Sequence, residues 1–145
     1  MGVIVLDFDG TCVEHEFPYI GEEIGAVPVL KRLVSAGHKL VLFTMRSNHD
    51  KSLHVGSEEY PDVMGGNYLN DALKWFKTHG IPLYGVQTNP EQKSWTTSPK
   101  AYGHLIIDDV ALGCPLVYDK ARPYVDWVEV EKWLERNGWL PKNNV

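Results

Sequence analysis

Five short apolar runs punctuate the chain, and three of them stop abruptly in residues that carry chemistry. Val3-Ile4-Val5-Leu6 ends in Asp7-Phe8-Asp9-Gly10-Thr11, Lys39-Leu40-Val41-Leu42-Phe43 ends in Thr44, and His104-Leu105-Ile106-Ile107 ends in Asp108-Asp109. Apolar, β-branched runs of this length predict buried strands. A further strand is expected over 81–86, and a short one over 115–118. Between them the pattern turns helical. Ile24, Val27, Leu30, Leu33 and Val34 predict a helix over 22–36 with Gly37 as its stop; Pro28 either sits in the first turn of a helix that starts near Val27 or kinks a longer one. Leu69, Ala72, Leu73 and Phe76 predict a second helix over 67–79, and Val125, Val128, Trp133 and Leu134 a final one ending near Gly138. Strand, helix, strand in this order implies right-handed parallel crossovers. The expected fold is α/β, a three-layer sandwich around a parallel sheet of about five strands.

The chain has 145 residues, enough for a single domain over 1–145. A net charge of -5 gives no general electrostatic reason to bind nucleic acid or an anionic membrane, which leaves nucleic acid only as a substrate. Cys12 and Cys114 lack metal-ligand spacing and read as reduced small hydrophobes. No apolar run reaches membrane-spanning length, and Met1 leads almost directly into the first strand, so a cytoplasmic location is expected. Residues 46–66 and 87–99 are polar and aperiodic; a loop as long as the first is usually functional or mobile, and a lid is one reading of it.

In an open parallel sheet the carboxyl ends of the strands lie on one edge, where ligands bind beside a switch in strand order. Asp7, Asp9, Thr44, Asp108 and Asp109 would therefore meet. Four carboxylates in one crevice repel one another, which calls for a hard divalent cation with oxygen ligands, Mg²⁺ being the natural choice. Lys100, eight positions before Asp108, would add positive charge.

These residues, in this order, resemble the four motifs of the haloacid dehalogenase (HAD) superfamily of phosphohydrolases: Asp7-Phe8-Asp9-Gly10-Thr11, then Thr44, then Lys100 in Ser98-Pro99-Lys100, then Ile107-Asp108-Asp109. Glu14-His15, Pro18 and Ile20-Gly21 further resemble a small capless subgroup. The resemblance implies a Rossmannoid HAD-like fold and a Mg²⁺-dependent phosphatase that works through an aspartyl phosphate. Asp7 would be the nucleophile and Asp9 the acid and base. Asp7, the Asp9 carbonyl, Asp108 and Asp109 would hold the metal, Asp109 through water or by orienting Lys100. Thr44, Lys100 and the backbone N–H groups near Phe8 and Gly10 would hold the phosphate. Lys93 competes with Lys100 for the basic role. Cys12 stands where the family more often has a larger apolar residue.

A similar arginine to Arg46 follows the second motif in polynucleotide 3'-phosphatase domains, which implies a substrate-phosphate ligand; a surface ion pair is the other reading. His15 is read as structural or as touching substrate, while His49, His54 and Tyr60 belong to the expected lid. Trp127, Trp133 and Trp139 read as helix packing. The gaps after Thr11 and between Val86 and Lys100 are too short for a cap domain. The expected site is thus open to a phosphorylated small molecule or to an exposed phosphate on a larger one, closed only by loops or by a neighbouring subunit of a homo-oligomer. A phosphoacceptor module of the response-regulator type uses similar residues in a different order: there the acidic pair comes first and the acceptor later.

Overall fold

The structure, a computed structural model, describes residues 1–49 and 65–142. Four strands, β1 (Val3–Leu6), β2 (Lys39–Leu42), β3 (Gly85–Val86) and β4 (Leu105–Ile107), form a parallel sheet in the order β3-β2-β1-β4. Val5 is in register with Val41 on one side and Ile106 on the other. The expected fifth strand forms as β5 (Leu116–Val117) but leaves the sheet. It pairs antiparallel with β6 (Tyr124–Val125), so the parallel sheet has four strands and not five. The strand expected over 81–86 shortens at its front to two residues, and Gln87, at φ 65°, turns the chain away at its end.

Three helices follow the predicted periodicities with trimmed ends. α1 (Ala26–Ser35) begins after Gly25, whose φ of 99° suits glycine, and Glu23 Oε1 accepts from the N–H groups of Gly25 and Val27. Pro28 falls in the first turn, where its missing N–H has no intrahelical role. α2 spans Tyr68–Thr78, and α3 spans Trp127–Arg136 with Asp126 as its side-chain cap.

The direction of travel across the sheet decides where each connection lies. The steps β1 to β2 and β2 to β3 run the same way, so right-handed crossovers put α1 and α2 on one face. The step from β3 back past β1 to β4 runs the opposite way and must cross the other face. The packing agrees. Leu30 and Leu33 of α1, Trp75 and Phe76 of α2 and Leu134 of α3 share one core with Ile4, Leu6, Leu40, Leu42 and Ile107. Val5 and Val41, pointing to the other side, are covered by Ala101, Val3 and Tyr84.

This second face carries no α-helix among the described residues, which corrects the expectation of a sandwich with helices on both sides. Its cover is an irregular crossover held by two buried amides. Gln92 accepts from Asn89 N and Tyr102 N and donates to the carbonyls of Ser98 and Lys100; Asn89 accepts from Glu91 N and donates to Tyr102 O. Side-chain amides thereby do the work of a helical ladder, and periodicity could not have revealed them.

Replacing Gln92 by Leu strips partners from two N–H and two C=O groups, so Gln92→Leu should lower the unfolding free energy by about 2–4 kcal/mol in urea titration. A loss below about 0.5 kcal/mol would mean that water replaces the amide there.

Candidate functional site

β1 and β4 are neighbours although most of the chain separates them, and the strand order switches direction between them. The crevice at their carboxyl ends has a volume of about 470 Å³. It is lined by Asp7, Asp9, His15, Phe17, Thr44, Met45, Arg46, Asp108, Asp109, Val110 and Arg122.

Asp7, Asp108 and Asp109 each offer a carboxylate oxygen, and these oxygens lie within 4.8 Å of one another. Hard oxygen donors so grouped fit a small divalent cation such as Mg²⁺. Thr11, fully buried, ties the group together. Its hydroxyl donates to Asp7 Oδ2 at 2.7 Å and accepts from Asp109 N at 3.1 Å. Asp109 Oδ2 also pairs with His15 Nε2 at 2.8 Å, with the Asp109 side chain 7% exposed. Asp108 Oδ1 accepts from Val110 N. Gly10 is required between these parts: its φ is 81°, and a Cβ there would overlap His15 Nε2 and come within 2.6 Å of Asp109 Oδ2.

Asp9 stands apart from the acidic trio. Its carboxylate is gripped by Arg46, Nε to Oδ2 and Nη2 to Oδ1, both at 2.8 Å. A surface ion pair does not describe this contact, since the Arg46 side chain is 1% exposed. The expected substrate-phosphate role of Arg46 also loses its basis, because every guanidinium N–H already has an acceptor: Asp9, Pro18 O, Tyr19 O and Tyr68 O take all five.

Thr44 lines the crevice, and its Oγ1 accepts from Arg46 N, which leaves the hydroxyl proton free to donate. Gln87 fixes this loop. It accepts from Thr44 N and donates to the carbonyls of Thr44 and Arg46. The expected phosphate contact through Gly10 N is not available, because that N–H donates to Val13 O at 2.8 Å. Phe8 N faces the Asp7 carboxylate, and the Phe8 ring is buried against Trp75 and Phe76.

Lys93 and Lys100 are both exposed, and neither is among the residues lining the crevice. The second cation there is Arg122, on the turn between β5 and β6. Trp127 packs as expected, with Nε1 donating to Thr11 O. His49 N donates to Gly66 O and its ring meets Ser47 Oγ. His54, Tyr60 and most of the expected lid lie outside the described residues.

Sequence reasoning passed over Thr11, Gln87 and Arg122 as functional residues. Gln87 could have been found as the polar position that closes strand β3, and Thr11 as the hydroxyl that ends the first motif. Nothing in the sequence points Arg122 at strands so distant from it.

No family model matches the chain, and no curated protein matches it. Among solved structures, a conserved protein from Bacteroides thetaiotaomicron is 30% identical; the match covers 94% of this chain and 91% of that one, with a TM-score of 0.68. Among the described residues no helix is long and apolar enough to cross a membrane.

Burial pushes the Asp7 carboxyl up to about 8 from its ordinary 3.8; the Thr11 hydrogen bond opposes the rise, while Asp108 and Asp109 add to it. Burial raises Asp108 as well. A carboxyl whose value is raised by folding keeps its proton better in the native state, so stability falls as pH climbs from the unfolded value to the folded one. The metal-free protein should therefore lose thermal stability between about pH 4 and pH 8, and Asp7→Asn should flatten that slope. Mg²⁺ should raise Tm more at about pH 8 than at about pH 5. A wild-type Tm that is level across this range would contradict the assignment of a costly buried carboxylate.

Proposed function

We propose that this chain, which belongs to the same family as the conserved Bacteroides thetaiotaomicron protein, is a Mg²⁺-dependent phosphomonoester phosphatase of the capless HAD type. The observation that carries the reading is the acidic trio Asp7, Asp108 and Asp109, with Asp9 fixed two residues beyond Asp7 on the same crevice wall. Asp7, Asp108 and Asp109 would hold the metal. Bound there, it would offset the repulsion between a carboxylate nucleophile and a phosphate dianion.

The chain's own groups account for the rest. An Asp7 carboxylate oxygen attacks phosphorus as the bond from phosphorus to the leaving oxygen breaks, and that oxygen takes a proton from Asp9. Water then attacks the aspartyl phosphate, giving its proton to Asp9; the bond from phosphorus to Asp7 breaks and inorganic phosphate leaves. Thr11 holds Asp7 in place through Oδ2. The Thr44 hydroxyl donates to a phosphate oxygen, and Arg122 supplies the positive charge at the mouth that the sequence reading gave to Lys100. A polynucleotide 3'-phosphatase variant of this reading loses its main support, since it drew on an Arg46 free to bind substrate.

With a generic aryl phosphate, Mg²⁺ should be required and EDTA should abolish turnover. Asp7→Asn should lose activity by at least about 10³-fold, and full activity in that variant would sink the mechanism. Arg122→Ala should raise KM by about tenfold with little change in kcat, and Lys100→Ala should change KM much less. The reverse ranking would return the phosphate charge to Lys100.

A further inference from the structure

We propose that Arg46 is a positioning residue for Asp9 and not a ligand for the substrate; the inference rests on the phosphatase reading above. Its geometry is that of a clamp. The planar edge formed by Nε and Nη2 meets both Asp9 oxygens at 2.8 Å, a fork-to-fork pairing that fixes the plane of the carboxylate as well as its distance. The remaining donors reach Tyr19 O at 2.8 Å, Tyr68 O at 3.1 Å and Pro18 O at 3.5 Å. The Phe8 and Phe17 rings lie against the guanidinium, with centroids 5.1 and 5.2 Å from Cζ.

The clamp joins three parts of the wall. It ties Asp9 at the end of β1 to the segment around Pro18 and to the first residue of α2. Turning Arg46 toward a substrate phosphate would strand the Asp9 carboxylate and three carbonyls in a buried place, at a cost that one new phosphate contact does not offset. The clamp leaves room for a proton on Asp9. Each of its oxygens accepts one N–H and keeps a further lone pair for the proton it gives or takes. Lysine cannot reproduce the arrangement, having one nitrogen where the clamp uses three.

The test compares wild type, Arg46→Met and Arg46→Lys on two Mg²⁺-supported substrates. An alkyl phosphate needs its leaving oxygen protonated; a nitrophenyl phosphate hardly does. Arg46→Met should lose roughly 100-fold in kcat on the alkyl phosphate, with KM within about threefold of wild type. On nitrophenyl phosphate it should keep a rapid first turnover and then slow, because water attack also needs Asp9, and one phosphoryl group should accumulate on Asp7 by intact mass. Arg46→Lys should fall between the two. A KM rise of about tenfold at unchanged kcat would make Arg46 a substrate ligand and overturn the proposal. Equal losses on both substrates without a phosphorylated chain would reduce it to fold maintenance and overturn it too.

If neither variant folds, or wild type turns over neither substrate, side-chain NMR of the wild-type chain decides. Inactivity would remove the phosphatase reading, yet a clamped Arg46 Nε–H should still exchange slowly and should lose that protection in Asp9→Asn. Fast exchange in wild type would overturn the clamp.

Discussion

Carboxylates crowded at half-buried strand ends repel one another, and the arrangement of this molecule follows from managing that repulsion. Asp7, Asp108 and Asp109 bring oxygens within 4.8 Å, and burial drives Asp7 toward its neutral form. Asp9 would make a fourth charge in the same crevice, but the Arg46 guanidinium cancels it locally. Its removal from the group leaves a site with three acidic donors, a number that one divalent ion can satisfy together with water. Thr11 then spaces the trio, giving its proton to one strand's aspartate and accepting a backbone N–H from the other strand.

The fold contributes through direction more than through packing. Two crossovers toward β3 put α1 and α2 on one face, where α3 joins them, and the return to β4 creates the switch beside β1 where the acids meet. The other face is left with the amide-laced segment around Gln92 and Asn89, and Ile106 on that face stays 53% exposed. Loops at the crevice mouth are likewise held by side chains reaching backbone: Gln87 on the Thr44 loop, and Arg46 on the carbonyls of Pro18 and Tyr19.

Much of this was legible in the sequence where the signal is local. Apolar runs ending in Asp7-Phe8-Asp9 and Asp108-Asp109 named both the strands and the acids at their tips, and the helical repeats of Leu30, Leu33 and Phe76 named the core. What was not legible depends on partners far along the chain. Pro115 to Tyr118 looked like a sheet strand because apolar residues do not announce whether they pair with β4 or with Tyr124 and Val125. Arg46 read as a phosphate ligand by resemblance, and nothing local showed that its acceptors would be the Asp9 carboxylate and three backbone carbonyls. Lys100 had the right offset from Asp108, yet an offset does not say which way a side chain on an irregular crossover will point. The cation at the crevice mouth, Arg122, comes from a hairpin that no periodicity connects to the acids.

The pairing of Thr11 with Asp109 spans 98 residues, and that separation bears on how the protein folds. Contacts between β1, α1 and β2 are local and can form early, but β4 reaches β1 only after a long loop has closed, the slowest kind of contact to make. The two halves of the acidic site therefore come together in the same event that completes the sheet. A chain halted before that event would carry Asp7 without Asp108 and Asp109, and so would lack both the repulsion and the means to recruit a cation. Only a fully assembled sheet presents the acidic trio at all.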